Sequence, residues 1–296
     1  MAKFLDVVPA GFRPGNLDLD RPLDNQVALL KMQADLSGAD VLGGFGGQCW
    51  SWIPGEGHQL LFNTYGVGAS RLEFDPEANQ WNFSHREVLY YLDPVTNEVL
   101  ETWLNPLTGR RVEVLHIIND PVNRIYPLGG GRFAPPYPYT LMGDDLVYQI
   151  DVLRAEQNPL TRREYPLHSQ QDLYQSCEMW AIRGSFKEIN DPEVTSAACH
   201  TAWARISMWL PFMEMGNRPG QMLYHSQSFK LMNGAADIPP NIRAYIEKNH
   251  PEYLEAPREW LGMAQNENTW TYAKKIIDER RAADRVRGGQ SVFSVD

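Results

Sequence analysis

A histidine on the inward face of a strand, close to arginine and tyrosine, can abstract a proton and hold the anion that results. Several stretches of this 296-residue chain offer that combination. The first is Val112-Glu113-Val114-Leu115-His116-Ile117-Ile118, which runs into Asn119-Asp120. Strand residues two apart share a face, so His116 sides with Val112, Val114 and Ile118, the β-branched set expected to turn inward. An imidazole there titrates near neutrality and suits general-base work, with Asn119 as a polar contact for a substrate. The plainer alternative is a core histidine bonded to a neighbour. In the preceding strand Arg86, Val88 and Tyr90 share one face, and His85, Glu87, Leu89 and Tyr91 share the other. The Arg86–Tyr90 face, turned inward, would clamp an anion or phenolate; the alternative is a surface arginine paired with a carboxylate. Further on, Trp203, Arg205, Ser207 and Trp209 alternate with Ala204, Ile206 and Met208. If the small apolar set packs beneath helices, the first set faces a cavity, with Arg205 held between indoles by cation–π contact. Pairing of this strand with Gln221–Lys230 through the 216–220 turn would bring His225 towards Arg205. The expected acid–base set is therefore His116, His225 and Arg205. Arg86, Tyr90, Trp103, Asn119, Tyr148 and Trp209 are the expected substrate contacts.

Common catalytic signatures are missing. Gly43-Gly44-Phe45-Gly46-Gly47 and Gly129-Gly130-Gly131 do not complete a dinucleotide or P-loop spacing and read as loops. There is no G-x-S-x-G elbow and no H-E-x-x-H. The histidines at 58, 85, 116, 168, 200, 225 and 250 show no paired spacing at two or four residues. Side-chain chemistry without a metal or redox cofactor is the expectation, with a non-catalytic binding protein or a metal enzyme built from scattered histidines as alternatives.

The elements that must position these residues are strands. Ser84–Leu92, Glu98–Leu104 and Arg110–Ile118 are separated by Asp93-Pro94-Val95-Thr96-Asn97 and Asn105-Pro106-Leu107-Thr108-Gly109. Asp or Asn suits the first turn position, Pro presets the next φ, and Asn or Gly accepts the left-handed closing position. Seven-residue strands with matched turns predict an antiparallel meander. Further strands are expected over 49–53, 59–65, 144–153, 176–185, 202–209 and 221–230. Helices are expected from Leu23, Val27, Leu30 and Ala34, with Asp24 as N-cap, and near the C-terminus from Ile242, Tyr245 and Ile246 and from Tyr272, Ile276 and Ile277. The chain thus reads as one mainly β (α+β) domain: an arm and helix to residue 40, a β-barrel or strongly curved sheet over 41–230, and helices over 231–296.

The run Ser84-His85-Arg86-Glu87-Val88, the two proline turns with Glu98-Val99-Leu100-Glu101-Thr102-Trp103 between them, and Val112 to Asn123 resemble domain-of-unknown-function family 1838, found in bacteria and fungi. Leu17-Asp18-Leu19-Asp20 with Asp24-Asn25, and Ser207 to Gly216, fit the same pattern, and Asn97 stands where the family has Gly. The resemblance carries a looser association with lyases that release formaldehyde from lignin-derived dimers. It implies a cofactor-free carbon–carbon lyase for an aromatic substrate, with His116 or His225 as base and Arg205, Arg86 or Tyr90 on the developing anion.

Composition bounds the partners. Net charge is −10, and the most basic cluster, Lys274-Lys275 with Arg280-Arg281, is interleaved with Asp278 and Glu279, so no nucleic acid is expected. No apolar run approaches the roughly 20 residues of a membrane span. Three widely spaced cysteines and no signal-peptide pattern point to reduced thiols in the cytoplasm. Nine Trp and 13 Tyr suit a pocket for flat ligands, and homo-oligomerisation is left open.

Overall fold

The computed structural model describes residues 15–127 and 136–290. The glycine run at 129–131 lies outside the described residues. Ten antiparallel strands form one sheet and a short hairpin forms a second. In chain order these are β1 (Val41–Trp52), β2 (Gln59–Asp75), β3 (Gln80–Leu92), β4 (Thr102–Leu104), β5 (Arg111–Glu113), β6 (Ile117–Asn119), β7 (Arg124–Pro127), β8 (Tyr139–Met142), β9 (Asp145–Gln157), β10 (Leu173–Ser185), β11 (His200–Ser207) and β12 (Gln221–Lys230). The helices are α1 (Pro22–Gln33), α2 (Phe186–Ile189), α3 (Pro240–Asn249) and α4 (Thr269–Gln290). The large sheet runs β6-β3-β2-β1-β12-β11-β10-β9-β8, with β7 also on β3, an open path from β6 to β8.

The two expected turns form. Asp93 Oδ1 accepts the N–H groups of Val95 and Thr96, and Asn105 Oδ1 accepts that of Leu107. Asn97 and Gly109 close the turns at φ 58° and 70°, the left-handed values that Asn and Gly tolerate best. The continuous meander does not follow. β4 pairs only with β5, while β6 returns to pair with β3 at Glu87↔Asn119, Val88↔Ile118 and Leu89↔Ile117. Regular strand geometry lapses between Glu113 and Ile117, so the alternation expected over 110–118 is broken there. The 43–47 glycines are the middle of β1, not a loop. Asp24 is not the cap of α1, because Pro22 already opens the helix with Arg21 at the N-cap position. Asp24 lies in the first turn instead, where a carboxylate opposes the helix dipole, and accepts the Asp18 N–H at 3.1 Å.

Three buried apolar clusters show how the helices dress the sheet. On the concave face one end is filled by α1 against Leu72, Trp81, Phe83, Tyr126, Leu146, Tyr148 and Ile182. The other end is filled by Trp270, Ala273 and Ile277 of α4 and by the β4–β5 hairpin, against Cys49, Phe62, Tyr91 and Tyr224. On the convex face α3 lays Ile242 and Ile246 over Val67, Ala69, Val88 and Tyr90. Among the described residues no helix is long and apolar enough to cross a membrane.

Candidate active-site cavity

Between the two concave-face clusters lies a cavity of about 550 Å³, lined from β1, β2, β3, β6, β7, β9, β10, β11 and β12 and by the segment that leads into α4. A sheet that surrounds one cavity with nine of its strands must curve strongly, and glycine supplies the room. Gly43, Gly66 and Gly68 sit on the concave side of β1 and β2, in register with Lys230, Leu89 and Glu87. A Cβ at Gly68 would stand 2.6 Å from Cε1 of His85, and one at Gly66 would stand 2.4 Å from the Phe45 ring. The imidazole and phenyl rings therefore lie over glycines.

The face of β3 turned to the cavity is His85, Glu87 and Leu89, the reverse of the face expected from sequence. His85 Nε2 is 3.7 Å from Glu87 Oε2, within ion-pair range but longer than a hydrogen bond. Glu87 Oε1 accepts from Asn119 Nδ2 at 3.0 Å. Burial pushes the Glu87 carboxyl up, but His85, Asn119 and Arg124 together outweigh it and hold the group at about 2. The His85 ring stacks on Phe83 with centroids 5.5 Å apart, and its backbone is fixed by Asn123 Oδ1 (3.1 Å) and the Val122 N–H (2.7 Å). Its Nδ1 is buried without a hydrogen-bond partner among the described residues, as are Asn119 Oδ1 and Ser226 Oγ.

The facing wall comes from β10, β11 and β12. Register places Glu178 opposite Arg205, and Arg205 opposite Tyr224. Arg205 Nη2 donates to the Tyr174 hydroxyl at 2.6 Å, and its Nε is 4.0 Å from Glu178 Oε1. Its guanidinium carbon lies 5.7 Å from the Tyr224 ring centre and 5.8 Å from that of Trp270, within cation–π range. Burial disfavours the charge, yet Tyr174, Glu178 and Tyr224 prevail and raise the Arg205 pKa further. Glu178 Oε2 accepts from Trp203 Nε1 at 3.2 Å, and Trp203 packs on Trp180 at 5.7 Å. Lys230 lines the base of the cavity, with its ammonium donated to Lys31 O, Ala34 O and Ser196 Oγ; burial lowers it to about 8. Among the described residues no group of three or more His, Cys, Asp or Glu is placed to hold a metal ion.

Of the residues selected from sequence, Arg205 and Asn119 line this cavity, as does Trp203. The others lie elsewhere. His116 is buried beside β3, where its Nδ1 accepts the Tyr91 N–H at 3.2 Å and its ring stacks on Tyr91. It takes up a strand-edge donor beyond the last β3–β6 pair, and it does not line the cavity. His225 is exposed and stands opposite Ala204, so it projects from the other face of the sheet than Arg205 and cannot reach it. Arg86 and Tyr90 point to the convex side. Arg86 meets Asp120 at 3.3 Å and Glu252 O at 3.0 Å, and the Tyr90 hydroxyl is 2.8 Å from His250 Nδ1. Trp103 packs on Phe62 at 4.6 Å in the α4-side cluster. Trp209 lies past the end of β11, donating to Arg218 O at 3.0 Å. The Tyr148 hydroxyl donates to Asn25 O at 2.8 Å beneath α1. Glu178, Arg124, Tyr174, Trp180 and Trp270 also line the cavity, and none of them lies in a motif or spacing that marks it in the sequence. Of the two alternatives for β3, the structure shows Arg86 paired with a carboxylate, Asp120, on the outer face, which leaves the i, i+2 pair His85–Glu87 facing the cavity; Glu178 with Trp180 shows the same spacing on β10.

Fold and cavity together define a mainly antiparallel β protein whose curved sheet encloses a polar, aromatic-walled site with an imidazole–carboxylate pair. The chain belongs to the family described as protein of unknown function (DUF1838), whose model matches residues 40–277. That span holds every cavity-lining residue except Met32 and Gln33 of α1. No curated protein matches the chain.

Proposed function

We propose that the cavity is the active site of a cofactor-independent lyase for an aromatic small molecule, with His85 as general base. The observation that carries this is the His85–Glu87 pair of β3 facing an indole-rich wall that holds a fixed guanidinium. Glu87 stays anionic at any working pH, so it orients the imidazole and stabilises the imidazolium formed when His85 takes a proton. Arg205 with the Tyr174 hydroxyl forms a preorganised donor set for developing negative charge, worth most in a site shielded from water. Trp203 and Trp180 offer ring faces to a flat substrate.

For a substrate in which the carbon carrying a hydroxymethyl group is bonded to a second carbon that bears an aryl ether, the step balances as follows. The alcohol proton moves to His85, and the C–O bond becomes the carbonyl of formaldehyde as the carbon–carbon bond breaks. The released electron pair forms a C=C bond and expels a phenoxide, which Arg205 and Tyr174 receive. The test is incubation with a panel of lignin-type aryl-ether dimers and mass measurement of the products. The expected products of the native enzyme are formaldehyde, the alkene and the free phenol. His85→Ala is expected to lower kcat by about 10²–10⁴-fold with the fold retained. Substrate recovered unchanged with the native protein would mark a binding protein instead, and full turnover by His85→Ala would remove His85 from the chemistry.

A further inference from the structure

We infer that Arg124 anchors a carboxylate of the ligand, so that the substrate class is an aromatic acid rather than a neutral arene; this rests on reading the cavity as the substrate site. Four basic side chains line the cavity: Arg124, Arg154, Arg205 and Lys230. Three are accounted for by protein or by position. Lys230 spends its ammonium protons on two carbonyls and Ser196. Arg205 is tied to Tyr174 and Glu178 between two rings. Arg154, exposed as Arg124 also is, stands on β9 opposite Ser176, six strands along the sheet from the β3 strand that carries His85.

Arg124 differs from all of these. β7 pairs with β3 at Phe83↔Arg124, so its side chain leaves the same face as Phe83 and His85 and enters the cavity next to the proposed base. It leans on the Tyr126 hydroxyl, and it feels Glu87 and Glu178 at longer range. No carboxylate among the described residues lies within ion-pair distance of it. The two nearby carboxylates are engaged elsewhere, Glu87 by His85 and Asn119, and Glu178 by Trp203 and Arg205. A guanidinium kept charged by its surroundings but not hydrogen-bonded to a protein anion presents the fork that binds a carboxylate with two parallel N–H···O bonds. An aromatic acid held there lays its ring along Phe83 and the Trp wall and directs its far substituents towards His85 and Arg205.

The experiment compares 4-hydroxybenzoate with its methyl ester, probes that differ in the carboxylate alone, by quenching of tryptophan fluorescence at pH 7.5. The native protein is expected to bind the acid about tenfold or more tightly than the ester. Arg124→Gln should erase that preference and Arg124→Lys should restore part of it. Arg163→Gln, which removes the same charge from the surface, should leave it intact. Equal affinity for acid and ester, or a preference that survives Arg124→Gln, overturns the inference while leaving the aromatic cavity standing. Failure of both probes to bind overturns the reading of the cavity itself, and the inference with it.

Discussion

His85 and His116 both attach to β3, and their surroundings separate their chemistry. His116 is 8% exposed, and its ring meets Tyr90 edge-on and Tyr91 face-on. Burial lowers its pKa to about 4, with His250 adding to the effect and Glu101 opposing it. The unfolded chain protonates this residue near its ordinary value of 6.5, whereas the folded protein resists until about 4. Below 6.5 the unfolded state therefore binds more protons, and stability falls as pH drops through that window, by up to about 3 kcal/mol. Above 6.5 there is no such loss. His116→Leu should cost about 1–3 kcal/mol at pH 8, because the Tyr91 N–H loses its acceptor. The same variant should lose less further stability than the native protein between pH 6.5 and pH 4.5. Urea denaturation across that range checks both, and equal pH slopes in the two proteins would sink the assignment. Turnover by His116→Leu should stay within several-fold of native, in contrast to His85→Ala.

At the scale of elements, the glycines of β2 decide how β3 presents its side chains. Gly68→Ala places a methyl 2.6 Å from the far edge of the His85 ring, which can swing, so activity is expected to fall by about tenfold or more with little loss of stability. Gly66→Ala meets Val88 O at 2.5 Å as well as the Phe45 ring. A backbone carbonyl cannot swing aside, so about 1–3 kcal/mol of stability is expected to go with it. Thermal melts and rates measured on both variants separate the cases; a Gly68→Ala protein with native rates would show that His85 does not need that space. These glycines also explain what the sequence conceals. Strand propensity counts glycine against a strand, so 43–47 read as a loop. In the folded sheet the missing side chains are replaced by Phe45, Tyr65 and His85 from neighbouring positions. The turns at 93–97 and 105–109 are legible because Asp93 and Asn105 bond their own backbone, and nothing distant is required. Which face of β3 turns inward is not local. It depends on α3 covering Val88 and Tyr90 from outside while α1 and α4 leave a gap over His85 and Glu87. On β11 Trp203 and Arg205 face the cavity as their alternation suggests, but Ala204 and Ile206 between them are only half-buried, because the helix on the outer face, α3, packs on β2 and β3 instead.

Across the whole molecule, the cavity exists because two separate segments close its ends, and α4 is the one that also touches the proposed chemistry. Asn268 Oδ1 accepts the N–H groups of Trp270 and Thr271, each at 3.0 Å, and so caps the start of α4 where those donors have no helical partner. Directly behind the cap, Trp270 is 3% exposed, packs on Tyr174 at 4.6 Å and lies beneath the Arg205 guanidinium. The same side chain therefore anchors the helix to the sheet and supports Arg205, the arginine proposed to stabilise the anion. Trp270→Ala should lose about 3–5 kcal/mol of stability, as expected for a large aromatic removed from a packed core. It should also lower kcat, because Arg205 loses one of its two ring contacts and Tyr174 loses its support. Trp270→Phe keeps a ring against Tyr174 and should recover most of the stability and much of the rate. Denaturation, together with limited proteolysis that follows release of the C-terminal helix, distinguishes a local effect from loss of closure. If Trp270→Ala melts like the native protein and resists protease equally, α4 is not what closes this end of the cavity, and the site must be shielded by the β4–β5 hairpin alone.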